Sequence, residues 1–270
     1  MTAPTWDPVQ YDRFEAERDR AALDLLVRLP SDLEPRVVWD LGCGTGRHAA
    51  LLKRRWPEAA VHGLDLDPAM MDACRARPED VTWADGDVST WAPDHAVDLI
   101  LANASLHWAP DHQTLFPRLA ATLAGGGVLA VQMPLRAEPL HHRVVARVAS
   151  DGPWADRLAA VPTPADPLPP EGYHDLLVPI CEEVDLWTTT YLHELHGPDP
   201  VLEWLKGAGL RPHLAALADD PELSRAFLSA LGRALSDAFP VRASGAVLLP
   251  FPRLFLVARR ARRASACAGP

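Results

Sequence analysis

The residues from Asp40 to Gly46 have the types and spacing of a nucleotide-binding loop. An apolar β-type run leads into Asp40, and glycines follow at Gly42, Gly44 and Gly46. Glycine lets bare backbone approach a ligand, because a Cβ there would collide with it. A second apolar run ends at Asp65, about 20 residues past the loop, where a ribose would lie. The pattern predicts a βαβ unit that binds a nucleotide-type ligand; a glycine-rich turn without a ligand is the alternative.

The glycine spacing separates two kinds of ligand. A dinucleotide fingerprint spaces its last glycine for a pyrophosphate over a helix N-terminus. Here the spacing is G-x-G-x-G with Asp40 before it, and this form resembles motif I of class I S-adenosylmethionine (SAM) methyltransferases. The resemblance implies that Asp40, Gly42, Gly44 and Gly46 belong to a loop that holds the methionine part of SAM, and that Asp65 binds its ribose.

Further residues extend the expected SAM site. Asp87 and Val88 lie where motif II offers a carboxylate and a backbone N–H to adenine, although an Asp in a turn is the alternative. Asn103 follows the fourth apolar run, where a sheet edge would meet the ligand crevice. The resemblance also implies cofactor contacts from Leu66, which follows the ribose acid, and from Tyr11, which otherwise packs as a hydrophobic residue.

The order of the strands and helices that must position these residues predicts a doubly wound α/β fold. Near-continuous apolar runs are typical of parallel strands buried on both faces. Pro250 and Pro252 confine the last strand to an edge or a bulge, because proline cannot donate to a ladder. The resemblance implies the mostly parallel, seven-stranded Rossmann-like sheet of class I methyltransferases, with a helical lid insertion. We predict strands over 36–41, 61–65, 81–83, 97–103, 128–133, 183–191 and 245–259, and helices over 6–29, 48–56, from 68, over 117–123 with glycines 125–127 ending it, and over most of 198–239.

The domain organisation is expected to be one globular unit made of successive segments. The chain of 270 residues is long enough for one large α/β domain with insertions. The segments are an N-terminal helical lead-in that closes over the ligand (1–35), the SAM-binding core (36–134), a substrate and lid region with one strand (135–244), a closing strand or hairpin (245–260) and a tail (261–270).

Composition excludes several classes of partner. The net charge of -10 argues against binding to nucleic acid or to an anionic membrane. No apolar run approaches the roughly 20 residues of a membrane span, and the polar N-terminus resembles no signal peptide. The four cysteines form no C-x-x-C pair, so reduced thiols and a cytoplasmic location are expected. The histidines lack a convincing ligand set, so we predict no metal site. The oligomeric state is not indicated by the sequence.

The chain resembles one methyltransferase family, trans-aconitate 2-methyltransferase, along its whole length. Late blocks such as Thr189-Thr190-Tyr191 and Phe251-Pro252-Arg253-Leu254-Phe255 carry most weight, because they lie outside the shared SAM fold. Thr45, Arg47 and His107 depart from the family pattern, and residues 150–172 diverge, which bears on substrate choice more than on methyl transfer. Other matching blocks are residues 6–8, 16–18, 41–44, 68–70, 102–106, 110–112, 115–117, 127–134, 183–185 and 209–212.

The resemblance implies SAM-dependent transfer of a methyl group to a carboxylate of trans-aconitate or a related small polycarboxylate. The products would be a monomethyl ester and S-adenosylhomocysteine. A carboxylic acid with a pKa of about 4 is already ionised at neutral pH, so no residue is expected to act as a general acid or base. The protein has to align the reacting atoms and remove water from a strongly hydrated anion.

Cationic residues are the first candidates for binding such a substrate. Arginine presents a fork that matches a carboxylate. Arg253 stands in an apolar strand, where its charge faces either the pocket or water, and the resemblance favours substrate. Arg18, on the lead-in helix, is a second candidate.

Four further residues complete the candidate substrate site. Tyr191 and His193 lie two apart on a predicted strand and therefore share a face, which is either the pocket or half-exposed sheet. His107 is a candidate donor to a substrate carboxylate, with a structural histidine as the alternative. Trp108 packs either near the reacting groups or in the core.

Two other functions compete with this interpretation. A different small-molecule acceptor, of a natural-product type, is the first, since segment 150–172 would reshape the pocket. A SAM-binding protein without catalysis is the second, although the intact residues of the glycine loop and Asp65 and Asp87 weigh against it.

Overall fold

The computed structural model describes residues 15–135, 139–161, 168–207 and 209–262, without the side chains of residues 15–18. Tyr11 and the side chain of Arg18 therefore lie outside the described residues. Within those ranges, helices and strands alternate as expected as far as residue 134, and groups of successive helices separate the last three strands. They are α1 (Glu15–Val27), β1 (Val37–Leu41), α2 (Arg47–Arg55), β2 (Ala60–Asp65), α3 (Pro68–Arg75), β3 (Thr82–Asp85), β4 (Val97–Asn103), α4 (His112–Thr122), β5 (Leu123–Pro134), α5 (Leu140–Ala149), α6 (Ala155–Leu158), α7 (Pro170–Leu177), β6 (Cys181–Leu195), α8 (Pro200–Lys206), α9 (Arg211–Ala216), α10 (Pro221–Ala238) and β7 (Val247–Arg260).

The strands form a seven-stranded sheet in the order β3-β2-β1-β4-β5-β7-β6. The pairs β1–β2, β1–β4, β2–β3 and β4–β5 are all parallel. The strand order reverses at β1, because β2 lies on one side of it and β4 on the other. In open α/β sheets, ligands bind at the carboxyl ends of the strands beside such a reversal. The sheet confirms the predicted doubly wound fold. The loops that follow β1, β2 and β4 are therefore the expected place for a ligand.

Contacts along the chain divide it into two compact units. The sheet unit consists of Asp19–Pro134, Ala165–Thr188 and Leu254–Pro270, and the insert unit includes Leu135–Pro164 and Thr189–Arg253. The strands β6 and β7 each contribute residues to both units. Among the described helices, none is both long and apolar enough to cross a bilayer.

Each unit has an apolar core of its own. In the sheet unit, the interior of β4 is completely buried, as near-continuous apolar sequence requires of a strand covered on both faces. In the insert unit, apolar faces of α5, α8 and α10 pack together around Phe227, Leu231 and Trp204. The stretch 198–239 is helical as predicted, divided into three helices.

The helix and strand before the insert unit differ from the sequence prediction. Helix α4 begins at His112, not at Pro117, because the side chain of Asp111 accepts a hydrogen bond from the Thr114 N–H at 3.2 Å and caps it. Strand β5 begins at Leu123 and contains the glycines that we expected to end the helix. A Cβ on Gly127 would lie 2.8 Å from the Val97 carbonyl oxygen, so glycine there permits close approach of two strands.

The last strand occupies an interior position, so of the two alternatives that its prolines predicted, an edge or a bulge, the edge is wrong. Strand β7 lies between β5 and β6. The Pro252 carbonyl accepts a hydrogen bond from the Leu135 N–H at 2.9 Å, immediately after β5 ends at Pro134. The backbone at Pro252 therefore still hydrogen-bonds to the residue that follows β5, through the carbonyl that proline retains.

Candidate active site

The glycine loop after β1 adopts a backbone conformation that favours glycine. Gly42, Gly44 and Gly46 have φ values of 72°, 55° and 77°, in the left-handed region. A Cβ on Gly42 would lie 2.3 Å from Ser105 Cβ, and one on Gly46 would lie 2.5 Å from the Trp83 ring. These two glycines are required by the protein itself.

Gly44 differs from the other two because its free side is open. Among the described residues, an added Cβ on Gly44 would meet no atom within 4 Å. The space that a Cβ would occupy is therefore available to a ligand that contacts bare backbone. This is the condition that the cofactor-binding interpretation of the loop requires.

Asp65 ties the end of β2 to this loop. One carboxylate oxygen accepts a hydrogen bond from the Gly44 N–H at 2.8 Å, and the other accepts one from the Asp67 N–H at 3.0 Å. Burial raises the pKa of Asp65, while the two backbone donors act in the opposite direction. Each carboxylate oxygen has a second lone pair, so the group can still accept hydrogen bonds from ribose hydroxyls.

The thiols of two cysteines support the glycine loop, a feature that sequence reasoning missed. The Cys74 thiol donates to the Gly44 carbonyl at 3.0 Å, and the sulfur atoms of Cys43 and Cys74 are 3.9 Å apart. Both pack with Met71 and Trp83 in a small buried cluster. The contact with Cys74, together with burial, raises the pKa of the Cys43 thiol far above its usual value. The Cys43 thiol therefore stays protonated, and both cysteine side chains support the loop.

Asp40 lies in β1, just before the glycine loop, and is shielded from solvent. Its side chain is 1% exposed, and its Oδ2 has no hydrogen-bond partner among the described residues. Burial raises the pKa of Asp40 to about 6. An acid in this environment can shape the loop electrostatically, but the structure brings Asp65, and not Asp40, into contact with Gly44.

The expected adenine side is formed by the turn after β3 and the residue after β2. Asp87 accepts hydrogen bonds from the Ser89 N–H at 2.8 Å and from the Ser89 hydroxyl at 2.7 Å. These two hydrogen bonds form the turn that was the alternative interpretation of Asp87. The side chain is nevertheless exposed, and its other oxygen is available. Val88 is half-buried, and Leu66 exposes 62% of its surface beside Asp65. An exposed leucine at this point suits contact with a flat apolar ring.

Arg118 holds the same turn, and sequence reasoning did not identify it. From helix α4, its guanidinium donates to the Val88 carbonyl at 2.8 Å, to the Ser89 carbonyl at 3.0 Å and to the Trp91 carbonyl. Three carbonyls on one guanidinium fix the path of the backbone at the expected adenine position. An arginine next to the apolar positions of a helix gives no local sign of this role.

Polar groups also gather at the ends of β4 and β5. Asn103 is paired in register with Gln132, and the Ala104 N–H donates to the Gln132 carbonyl at 2.8 Å. Ser105 Oγ donates to the Leu41 carbonyl at 2.6 Å, joining this turn to the end of β1. The Asn103 Oδ1 and the buried Gln132 Nε2 find no partner among the described residues. Gln132 is therefore a further candidate for binding a ligand. In the sequence it stands out as the single amide within an apolar run.

The two aromatic candidates after β4 have different environments. His107 is buried and its ring lies 4.9 Å from that of Trp108. Trp108 is 43% exposed, so it is not a core residue, which was the alternative for it. A nearby histidine, His112, is fully engaged: its ring nitrogens contact the Tyr173 hydroxyl at 2.6 Å and the Leu106 carbonyl at 2.9 Å. His112 is thus structural.

The insert unit brings together the remaining substrate candidates. Arg253 is only 5% exposed, and its guanidinium lies 4.3 Å from the centre of the Phe251 ring. The solvated alternative for Arg253 is therefore excluded. Tyr191 and His193 are buried on one face of β6 with their rings 6.2 Å apart, and the His193 ring stacks on Trp204 at 4.5 Å. Of the two environments considered for that face, half-exposed sheet is excluded.

Comparison with known proteins decides the family. A methyltransferase-domain profile matches residues 38–127. The trans-aconitate 2-methyltransferase of Methylobacterium radiotolerans is 48% identical over 262 residues, covering 95% of this chain and 98% of its own. The chain belongs to the trans-aconitate 2-methyltransferase family. A second member, from Azoarcus sp., is 46% identical over 258 residues, covering 95% of this chain and 100% of its own.

A solved structure shares the fold of this chain. The crystal structure of YcgJ from Bacillus subtilis aligns with 90% of this chain and 99% of its own, with a TM-score of 0.56 and 14% identity. At that identity the likeness concerns the fold alone. Within the described part of the chain, no cluster of three or more His, Cys, Asp or Glu side chains could hold a metal ion.

Proposed function

We propose that this member of the trans-aconitate 2-methyltransferase family is a SAM-dependent carboxyl O-methyltransferase. Its substrate would be trans-aconitate or a closely related small polycarboxylate, and its products a monomethyl ester and S-adenosylhomocysteine. The observation that carries the acceptor class is Arg253, a guanidinium that is 5% exposed within an apolar segment. A buried arginine of this kind suits an anionic ligand, because a carboxylate entering an apolar site requires a cation.

The sheet unit supplies the residues that would hold SAM. Gly44 offers open backbone for the methionine part, and Asp65, already braced by the Gly44 N–H at 2.8 Å, would accept the ribose hydroxyls. Leu66 and the turn at Asp87 and Val88 would enclose the adenine. When bound, SAM supplies a methyl group on a positively charged sulfur that departs as a neutral thioether.

The protein's own contribution is binding, orientation and exclusion of water. The acceptor carboxylate is ionised at neutral pH, so no side chain has to remove a proton. Arg253 would hold a distal carboxylate, since pairing with the reacting oxygen would reduce its nucleophilicity. Tyr191 and His193 would form the buried wall on which that anion lies, and His107 and Trp108, in the turn after β4, stay candidate substrate-binding residues. Water removal strengthens these contacts and exposes the acceptor oxygen.

We infer a cytoplasmic enzyme with a small-molecule partner and without nucleic-acid or membrane partners. The support is the net charge of -10, which disfavours polyanions, and the buried free thiols of Cys43 and Cys74.

A transfer assay with a panel of acids tests the proposal. The purified chain is incubated with methyl-tritiated SAM and trans-aconitate, cis-aconitate, citrate or a monocarboxylate. Base-labile label on trans-aconitate is the expected result. Label on a different class of compound supplied in an extract would show another acceptor, and SAM binding without turnover would show a non-catalytic protein.

A further inference from the structure

His141, in the first turn of α5, is a buried imidazole that the family comparison and the sequence patterns leave without a role. Its side chain is 1% exposed, and neither ring nitrogen has a hydrogen-bond partner among the described residues. Leaving a buried polar group unsatisfied is costly, so such groups generally have a function or a partner from outside the chain.

One aromatic ring links His141 to Arg253 within the insert unit. The His141 ring stacks on Phe251 with centroids 5.4 Å apart and planes 11° apart, and the Arg253 guanidinium lies 4.3 Å from the same Phe251 ring. The guanidinium and the imidazole are therefore held against a common support. Arg253 provides a bidentate fork, which uses two of the roughly four acceptor positions of a carboxylate.

The start of α5 is also suited to an anion. The N-cap residue is Pro139, no side chain in the described part of the chain makes a capping hydrogen bond there, and the first turn holds no acidic residue. The N–H groups of a first helical turn carry partial positive charge. Burial lowers the pKa of His141 to about 3, with a further contribution from His142. The imidazole is consequently neutral at pH 7 and offers one N–H donor and one acceptor.

We propose that His141 is a second substrate-binding residue, whose imidazole N–H donates to the distal carboxylate that Arg253 holds. This inference rests on the proposed function, because it assigns a second hydrogen-bond donor to the same substrate. It accounts for a buried imidazole that is left unsatisfied until a carboxylate enters. A neutral donor also adds a hydrogen bond without placing a second positive charge near the reacting oxygen.

The test compares His141→Phe with a matched control, His213→Phe. His213 is also partly buried in the insert unit, has one ring nitrogen without a partner among the described residues, and stacks on Phe227 with planes 11° apart. For His141→Phe we expect KM for trans-aconitate to rise by about tenfold or more, the scale of one hydrogen bond to a charged group. The expected kcat is nearly unchanged, and the melting temperature is equal or higher. His213→Phe should leave KM unchanged.

A third variant and a binding measurement separate the possible results. His141→Gln restores an N–H donor and should recover part of the lost affinity. Calorimetric titration of trans-aconitate in the presence of S-adenosylhomocysteine measures the subsite without turnover. Wild-type KM in His141→Phe, or a lower melting temperature with no selective loss of substrate binding, would overturn the role of His141. Binding of trans-aconitate that depends on His141, but without methylation by the wild type, would overturn the proposed function alone.

Discussion

Asp65 and Gly44 are joined by a hydrogen bond of 2.8 Å from the Gly44 N–H to the Asp65 carboxylate. The bond connects the carboxyl ends of β2 and β1, which are paired in register up to Leu64 and Leu41. An acid that would bind a ribose therefore also sets the position of the backbone that would contact the rest of the cofactor. Its loss should affect the cofactor in two ways.

Replacing Asp65 by alanine should weaken SAM binding by roughly 1–3 kcal/mol, the scale of lost charged hydrogen bonds. The fold should survive, because the change is confined to a strand end. Asp85→Ala is the matched control, since Asp85 pairs in register with Asp65 but is exposed and forms an ion pair with Arg75. Calorimetric titration with SAM measures both variants. Unchanged affinity in a folded Asp65→Ala protein would remove Asp65 from the cofactor site.

Asp40 should make stability fall as the pH rises. Burial raises its pKa to about 6, so the folded protein holds this proton more tightly than the unfolded chain, whose pKa is about 4. The resulting stabilisation is complete below about pH 4 and is lost as the pH rises through about 6. Asp40→Asn should therefore unfold less readily than the wild type at pH 8, by on the order of 1–3 kcal/mol, with a smaller difference at pH 4.

Urea unfolding at pH 4, 6 and 8 measures this difference. Asp94→Asn serves as the control, because Asp94 is an exposed aspartate of the same unit and its replacement should alter stability little at any of these pH values. A stabilisation by Asp40→Asn that is equal at all three values would show that the carboxyl group does not titrate as its burial requires.

The rate of the methyl-transfer step should not depend on pH from about 6.5 to 8.5. The acceptor carboxylate is already ionised well below this range, and the site needs no general base. Single-turnover measurements isolate this step from product release. A logarithmic rise of unit slope across the range would indicate a base among the residues of the site.

Arg253→Lys should lower kcat/KM for trans-aconitate by at least about tenfold, or roughly 1.4 kcal/mol. Lysine keeps the charge but loses the planar fork and the stacking on Phe251. SAM affinity should barely change, because the glycine loop is on a different strand. Arg242→Lys, at an exposed arginine of the same unit, should leave kcat/KM intact. Equal loss of SAM and substrate binding in Arg253→Lys would indicate a structural arginine.

Much of the sheet was predictable because buried parallel strands leave continuous apolar runs, and the glycine loop was predictable because its spacing reflects backbone geometry. The interior position of β7 was not, since the strand order depends on which segments pair with it, and its own prolines do not record that. Likewise, the start of α4 depended on the Asp111 cap and not on Pro117. Sequence periodicity records local preferences, whereas these outcomes depend on tertiary neighbours.

Part of the candidate site was likewise predictable from the sequence, and part was not. Asp65 and Gly44 were identified as candidates from spacing, because a strand end followed by a glycine turn is a local pattern. Arg118 and His141 were not identified as candidates, since the case for them comes from carbonyls of a distant turn and from the Phe251 ring. A single basic residue in a helix carries no local sign of such contacts.

Methyl transfer from SAM to a carboxylate of trans-aconitate can be tested by mass spectrometry of the products after incubation of the pure chain with SAM and trans-aconitate. We expect one methyl ester of the tricarboxylate for each S-adenosylhomocysteine formed, with the ester removed by mild base. S-adenosylhomocysteine that forms without a methylated tricarboxylate, or a chain that binds SAM and releases neither product, would contradict the claim.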